Sequence, residues 1–599
     1  MSNSGSMLVL AVALLLTFTA CEQAVEAPGP SAPSGPPVVG EEPTEPSTPT
    51  PAKPRVDPRV EVINPHGTAL SNKLHTVDLG TVSSEVYVIS TNTTGGFSAS
   101  AIERLDTIPS GAARSSGQAI RTTASGAAGH RLRSEVPAWV TEFNNNPPLS
   151  GRSVIRPRSQ SAQSQNSVLA GDRFTFIYPD RLSLFSVPAT ARRVVRDGTT
   201  TLVVWVADRE WGSYCGFASW CLTQEMVDAV AYRFLRPGAA NDIYDWVTAV
   251  FGAPWGPHPY YNLIPPTAAR EIHILLFDIA GDGPPRQVDT RIMGFFVGLN
   301  NFQRQVDMPQ SRGSNERLMF FLDSPVLASR DGPVWDVTDG WPSLIIQTLA
   351  HEFQHMIHFY QKAVLQDVVS EVWLNEMASE VAVDLVADRM KMYGPRGVAH
   401  DNPGAGEPGT IAGRLPLYNW NNDRQVTAWF GELEDYAVTY ALGAYLARTY
   451  GGAQLFRAIV QNDQGGIGAV EAALAAQGYA VSFGDVLTNW AVANLLSDDT
   501  DAPYPYRYNA GSSWTTSEAG GLAFRLGSIN LFNYRHEFSD GLYDYYHDGP
   551  YFYSLPEFNG ARAQRPHSNR YVSLGQNTGQ IRLRVDATAG NRITVVVKR

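Results

Sequence analysis

Residues 344–359 read Leu-Ile-Ile-Gln-Thr-Leu-Ala-His-Glu-Phe-Gln-His-Met-Ile-His-Phe and contain a His-Glu-x-x-His motif at positions 351–355. The apolar residues of this stretch recur with helical spacing, which predicts an α-helix. Side chains four positions apart lie on one face of a helix, so the imidazoles of His351 and His355 can converge on one metal ion. Glu352 projects beside them, where a general base is needed. The stretch therefore predicts one Zn²⁺ site per chain.

A zinc ion that does chemistry needs a third protein ligand and an open position for water. The segment Trp-Leu-Asn-Glu-Met-Ala-Ser-Glu at 373–380 lies in a second helical pattern, from 371 to about 392. Glu376 follows His351 by 25 residues, enough for the first helix to end and a second helix to present a carboxylate. Glu380 lies one turn further on the same face, where it can accept a hydrogen bond from a ligating imidazole. We therefore predict Glu376 as the third ligand and Glu380 as a supporting residue.

His358 is the competing third ligand, because it follows His355 by three residues and lies near the same helix face. The long metzincin pattern would require a glycine at position 358 and a histidine at position 361. This chain has His358 and Gln361 at those positions. We therefore interpret His358 as a packing or pocket residue.

The composition is that of a folded protein, with 599 residues of which 43% are hydrophobic and 17% are charged. At about 150 residues per domain, this length predicts roughly three or four units. The formal net charge of −12 argues against nucleic acid as a partner, since phosphate binding needs a basic surface.

The N-terminus predicts export. Residues 7–20 are apolar and uncharged, and this run is too short to span a bilayer. The run ends Phe-Thr-Ala-Cys, which resembles a bacterial lipobox in which Cys21 would be lipidated. Residues 22–58 contain eleven prolines and predict an extended, disordered tether. We therefore expect an extracytoplasmic protein, secreted or held at the bacterial cell surface, whose contact with the membrane is limited to a lipid anchor.

An ordinary cleaved export signal is the alternative to lipidation. No Lys or Arg precedes the apolar run, and Phe18 stands where leucine is usual in a lipobox. Both interpretations place the folded body outside the cytoplasm.

Cys215 and Cys221 are the two cysteines that remain once Cys21 is assigned to lipid. Five residues separate them, enough to close a small loop. Because an exported protein meets oxidising surroundings, we predict a disulfide between them.

A second metal site is suggested by Asp278, Asp282 and Gly283, whose spacing is similar to that of a calcium loop. Ala280 occupies the position where such a loop has an oxygen ligand. A plain turn is therefore the favoured interpretation and calcium the weaker one.

The motif at 351–355 and the Asn-Glu-x-x-x-Glu pattern at 375–380 together resemble the gluzincin class of zinc metallopeptidases. The wording His-Glu-Phe-Gln-His-Met-Ile, with Trp-Leu-Asn-Glu after it, is most similar to the hyicolysin-type (M30) family, over roughly residues 200–500. In related gluzincins a tyrosine shortly before a Gly-Ala step donates to the oxyanion. The resemblance therefore implies this role for Tyr440, with Tyr436 as the reserve.

The predicted mechanism is hydrolysis of a protein or peptide substrate. Zinc held by His351, His355 and Glu376 activates a water molecule, and Glu352 takes its proton and passes it to the leaving amine. Tyr440 shares the developing negative charge. No Gly-x-Met-x-Asn element of aminopeptidases is evident in the sequence, which favours an endopeptidase.

A surface-binding, adhesin-like lipoprotein that keeps the metallopeptidase scaffold with little or no turnover is the alternative function. The complete set of ligands and base favours the enzyme, because a protein that has lost catalytic activity commonly lacks one of these residues.

Strand-like runs precede the motif, and helical runs follow it. Apolar stretches at 271–277, 292–298 and 318–323 predict strands, and an edge strand among them could pair with an extended peptide. Helical spacing continues to residue 495, and alternating apolar residues return at 581–597. These patterns and the resemblance predict an α+β fold. Its zincin-like catalytic domain has a mixed sheet, the active-site helix and an α-rich lower half, and β-rich regions flank it.

The predicted domain boundaries follow changes in composition. Residues 109–167 are rich in Ser, Arg, Ala, Gly and Gln, as is typical of a linker. The predicted units are a signal peptide (1–21), the Pro-rich tether (22–58), a β-rich N-terminal region that includes the linker (59–200), the catalytic domain (201–500) and a C-terminal β-rich domain (501–599).

Overall fold

The structure is a computed structural model that describes most of the chain beyond residue 57. The described residues are 58–106, 136–149, 167–180, 183–215, 220–281, 283, 291–305, 309–508, 513–539 and 544–599. The predicted signal peptide, the lipidation site Cys21 and the tether up to residue 57 lie outside the described residues.

The described strands fall into two larger sheets and two short hairpins. The strands are β1 (Arg59–Val62), β2 (Leu70–Asn92), β3 (Ser100–Arg104), β4 (Arg173–Asp180), β5 (Ser183–Asp197), β6 (Thr200–Ala207), β7 (Glu271–Phe277), β8 (Gly294–Phe296), β9 (Leu318–Asp323), β10 (Thr515–Ala519), β11 (Leu522–Leu526), β12 (Arg535–Ser539), β13 (Asp544–Asp548), β14 (Ser568–Ala587) and β15 (Asn591–Lys598).

The central sheet is mixed, with the strand order β4-β5-β6-β7-β9-β8. β6, β7 and β9 run parallel in its interior. Their side chains are buried on both faces, as expected for parallel strands covered from two sides. β8 lies at one edge, antiparallel to β9. β4 and β5, which the sequence assigned to the N-terminal region, are thus part of the sheet that carries the predicted catalytic strands.

A second sheet joins the two ends of the chain, with the order β1-β15-β2-β14-β3. All its pairs are antiparallel, and the register places Arg59 opposite Val597 and Asn92 opposite Ser568. Its apolar face has a core of its own that includes Val88 and Val595. The β-rich regions predicted separately at the two ends therefore share one sheet.

The described helices pack mainly on the central sheet and on one another. They are α1 (Ala138–Asn145), α2 (Gln224–Phe234), α3 (Ile243–Phe251), α4 (Ser324–Leu327), α5 (Gly340–His358), α6 (Val372–Met390), α7 (Leu415–Trp420), α8 (Leu433–Thr449), α9 (Gly452–Gln461), α10 (Gly466–Ala476), α11 (Phe483–Leu495) and α12 (Leu555–Gly560). This mixture of helices and sheets confirms the predicted α+β class.

α5 is the helix predicted from the His-Glu-x-x-His stretch, and it packs against β8, β9 and α6. It continues as a π-helix over Phe359–Gln366, and Asp367 ends this continuation with a left-handed backbone (φ 57°). α8 approaches α6 closely at Gly443, where an added Cβ would lie 2.6 Å from Cγ2 of Val381. Glycine at this position thus allows α8 to lie beside the helix that carries Glu376.

Candidate metal centre

Two neighbouring helices bring three ligand side chains to one point. α5 carries His351 and His355, and α6 carries Glu376. The Nε2 atoms of the two imidazoles lie 3.1 Å apart. Oε2 of Glu376 lies 3.2 Å from Nε2 of His351 and 3.5 Å from Nε2 of His355. Among the residues that the structure describes, these three are the one group of His, Cys, Asp or Glu side chains whose donor atoms could share a metal ion.

The chemistry of this group fits a zinc ion. Two imidazole nitrogens and one carboxylate oxygen form a common ligand set of catalytic zinc. Oε2 of Glu376 is buried and receives no hydrogen bond of good geometry from the described residues, so a shared cation would satisfy it. Burial acts to raise the pKa of Glu376, but the charge of His355 and the approach of both imidazoles outweigh it and hold that pKa at about 2. The carboxylate is therefore ionised and ready to ligate.

Hydrogen bonds from α6 orient His355. Its Nδ1 lies 3.0 Å from Oδ1 of Asn375 and 3.0 Å from Oγ of Ser379. An amide oxygen can only accept, so Nδ1 carries the proton and Nε2 is left to face the metal position. The hydroxyl of Ser379 in turn donates to Oε1 of Gln354. The tautomer of His355 is therefore set by its neighbours.

Glu380 lies beside His351 but does not accept the predicted hydrogen bond from it. Its Oε1 is 3.7 Å from Nδ1 of His351, which is too long for a hydrogen bond. The guanidinium of Arg414 holds the carboxylate with two hydrogen bonds, of 2.8 Å from Nη2 and 3.1 Å from Nε. Glu380 thus contributes a nearby negative charge that Arg414 fixes in place.

Glu352 follows His351 directly on α5 and lines the same cavity as the ligands. Its carboxylate is buried, and the backbone N–H of Phe296 in β8 donates to it. Burial raises the pKa of Glu352, while the charges of His351 and His355 act to lower it. The base is thus held between the metal ligands and the edge strand of the sheet.

The ligands and the base line one cavity of about 530 Å³. β8, α5, α6 and the start of α8 form most of its wall, with Phe296, Trp341 and Tyr436 among the aromatic residues that line it. Residues of α1 complete the wall on the β8 side. The cavity is large enough to hold several residues of a peptide.

Tyr436, and not Tyr440, is the tyrosine that the structure brings to this cavity. The ring of Tyr436 lies 6.3 Å from the ring of His351, centre to centre. The guanidinium of Arg414 lies over the Tyr436 ring, 5.1 Å from its centre. The hydroxyl of Tyr440 donates instead to Oδ2 of Asp384, in the interior between α6 and α8. Tyr440 follows Tyr436 by four positions, which places it about one helical turn along α8, away from the ligands.

His358 does not belong to the ligand group. It is the last residue of α5, its side chain is buried, and its Nε2 lies 2.8 Å from Oγ of Ser370. This placement agrees with the interpretation of His358 as a packing residue.

The side chains of Cys215 and Cys221 interact with each other, and the disulfide between them stays a prediction. Sγ of Cys221 donates to the carbonyl of Gly212 at 3.8 Å. Burial, together with a hydrogen bond to Cys221, raises the pKa of Cys215 to about 12.

The predicted calcium loop is described only in part, because Asp282 lies outside the described residues. Oδ2 of Asp278 accepts from the backbone N–H of Gly283 at 3.4 Å, as in a turn. Calcium at this position stays a prediction.

Sequence reasoning missed Asn375, Ser379 and Arg414. Asn375 directly precedes Glu376, and Ser379 lies about one turn after it, so their closeness to a predicted ligand was a usable signal. Arg414 follows Glu380 by 34 residues, and no local pattern connects the two.

Comparison with known proteins places these residues in a family. The model of the family described as Peptidase M30 matches residues 186–516, more than half of the chain. The neutral metalloprotease ShpI of Staphylococcus hyicus is 27% identical over 232 residues, which are 37% of this chain and 46% of that protein. The match thus spans less than half of that relative's length. The resemblance inferred from the two motifs is confirmed: the chain belongs to the peptidase M30 family of metallopeptidases.

Proposed function

We propose that this protein is an exported, zinc-dependent endopeptidase that hydrolyses peptide bonds with Glu352 as its general base. The observation that carries the proposal is the convergence of His351, His355 and Glu376 at one cavity, with Glu352 beside them. The family match and the neutral metalloprotease relative support the same chemistry.

The side chains divide the work of peptide hydrolysis among them. His351, His355 and Glu376 would hold a zinc ion, which would supply Lewis-acid polarisation of the scissile carbonyl and a lowered pKa of water. The carboxylate of Glu352 accepts the proton of the attacking water and returns it to the leaving amine. Its burial beside the ligands keeps bulk water from competing for that proton.

We assign the oxyanion donor to Tyr436. Its side chain lines the cavity next to His351. Burial raises the pKa of Tyr436 well above its usual value, so the hydroxyl stays protonated and able to donate at neutral pH. A fixed donor beside a developing negative charge stabilises the transition state.

The central experiment for this function is casein digestion by the wild type, by chelator-treated protein and by Glu352→Gln. Loss of a general base should lower kcat by roughly 10²- to 10⁴-fold while the substitution keeps all three metal ligands. Zinc content measured on the same samples should be unchanged in Glu352→Gln. Equal casein digestion by wild type and Glu352→Gln would contradict Glu352 as the general base, and no digestion by either protein would favour a binding protein on a metallopeptidase scaffold.

Export and anchoring are proposed from the N-terminal sequence. None of the described helices has both the length and the apolar character needed to cross a bilayer. We expect labelled palmitate to be incorporated into the wild type in a bacterial host and to be lost in Cys21→Ser. Export of both proteins without label in either would show a cleaved signal and no lipid.

A further inference from the structure

The short helix α1 lies in the wall of the active-site cavity although it comes from far outside the catalytic core in sequence. Val140, Thr141 and Asn144 of α1 line the cavity that also holds His351 and Glu352. The family match begins at residue 186. α1 is therefore a feature of this chain that the match to the family does not include.

Asn144 occupies the free edge of β8. Its Nδ2 donates to the carbonyl of Phe296 at 2.9 Å, and its Oδ1 accepts from the backbone N–H of Gly298 at 2.6 Å. One carboxamide thus binds a carbonyl and an N–H of the edge, as the amide groups of an added peptide strand would. The N–H of the same Phe296 donates to Glu352. Asn144 therefore takes its hydrogen bonds directly beside the catalytic base.

Apolar contacts seat α1, but one polar group is left unsatisfied. Val140 is buried, and the ring of Phe143 packs edge-on against Phe302 at 5.3 Å between ring centres. Nε1 of Trp139 is buried and has no acceptor among the described residues. A buried donor without an acceptor weakens the docking. Apolar packing thus holds α1 in the cleft, although one of its buried hydrogen-bond donors is unsatisfied there.

The strands on either side of α1 do not depend on it. β1 to β3 pair with β14 and β15, whereas β4 to β6 lead into β7 of the central sheet. α1 is the one described helix between β3 and β4. It can leave the cleft without breaking a strand pair in either sheet.

We propose that residues 136–149, which contain α1, are an inhibitory segment that occupies the β8 side of the cleft in place of a substrate chain. The segment must leave for an extended polypeptide to reach β8 and Glu352. This inference rests on the proposed peptidase function, because it assigns the segment to the substrate position of that enzyme.

The test measures binding separately from turnover. Fluorescein-labelled β-casein is titrated into Glu352→Gln and into the double variant Glu352→Gln with Asn144→Ala, and fluorescence anisotropy gives Kd. Loss of the two hydrogen bonds should release the segment and tighten casein binding by about tenfold. Glu142→Ala is the matched control, since Glu142 lies on α1 but is exposed and does not line the cavity.

Equal or weaker casein binding after Asn144→Ala would overturn the proposal, because a permanent wall of the site would lose contacts and gain none. A synthetic peptide of residues 136–149 should compete with casein for the double variant, and failure to compete would also contradict it. If Asn144→Ala tightens casein binding in the Glu352→Gln background but Asn144→Ala with Glu352 intact digests no casein, the peptidase function fails and the inhibitory segment stands. If the wild type digests casein but Asn144→Ala does not tighten casein binding, the peptidase function stands and the inhibitory segment fails.

Discussion

At the scale of single residues, the site is built by neighbours that set which atom of each ligand faces the metal. Asn375 and Ser379 hold Nδ1 of His355, and Arg414 holds Glu380 beside His351. Such supporting contacts fix the orientation of a ligand, and their loss commonly lowers the metal affinity of the site.

Asn375→Ala should lower the zinc affinity of the protein by about 10- to 100-fold, since His355 would lose the acceptor that fixes its tautomer. Competition with a chromogenic chelator measures this affinity. Asn489→Ala is the matched control, because that amide donates to Tyr450 in the helical region and touches no ligand. Equal zinc affinity in the two variants would show that Asn375 does not orient His355.

Tyr436 and Tyr440 of α8 should respond differently to removal of their hydroxyls. Tyr436→Phe should lower kcat on casein by about 10²-fold, with zinc content unchanged, because an oxyanion donor is lost. Tyr440→Phe should leave kcat unchanged and lower the free energy of unfolding by about 1 kcal/mol, because its hydroxyl donates to the buried Asp384. A large loss of kcat in Tyr440→Phe alone would reverse this assignment.

At the scale of elements, local periodicity predicted most of what surrounds the metal. The strands at 271–277 and 318–323 and the helix that carries Glu376 were predicted close to their observed bounds, because each is a continuous pattern. The resemblance favoured Tyr440, whereas Tyr436 lines the cavity, because neither the resemblance nor periodicity determines which turn of α8 meets α5. The π-helix after His358 was also missed, since its residues continue an ordinary helical pattern.

The N-terminus of α3 should make stability depend on pH through Asp242. Its carboxylate accepts from the backbone N–H groups of Asp245 and Arg236. Burial nonetheless raises its pKa to about 7. Because this pKa is higher in the folded chain, folding takes up a proton, so the stabilisation is fullest below about pH 4 and is lost as the pH rises through 7.

We therefore expect the difference in free energy of unfolding between wild type and Asp242→Asn to move against the wild type from pH 5 to 8. Urea denaturation at each pH measures it. Asp485→Asn is the control, since the hydrogen bonds of Ser482 and the charge of Arg592 lower the pKa of Asp485 despite its burial. Its difference should stay flat over that range, and a flat Asp242 difference would contradict the assignment.

At the scale of the whole molecule, the first described strands, β1 to β3, and the last two, β14 and β15, form one sheet. Sequence patterns identified strands at both ends but not their partners, because β1 and β15 are separated by almost the whole chain. Pairing over such distances depends on packing that no local pattern contains. The chain is therefore not arranged as a string of domains in sequence order, and β4 to β6 belong to the central sheet.

Deletion of β15 should destabilise this sheet. Ile593, Val595 and Val597 are buried between β1 and β2, and each contributes roughly 1.5–3 kcal/mol. A variant that ends at residue 590 should aggregate or unfold at a lower temperature in calorimetry. Deletion of residues 22–57 is the control and should leave Tm unchanged. An unchanged Tm after loss of β15 would show that the terminal sheet is dispensable.

The most direct test of the metal centre is the zinc content of purified wild type, Glu352→Gln and Glu376→Ala, measured by elemental analysis after dialysis. We predict one zinc per chain in the wild type and in Glu352→Gln, and a sharp loss in Glu376→Ala, whose third ligand is gone. Unchanged zinc in Glu376→Ala would contradict the ligand set and with it the proposed peptidase site.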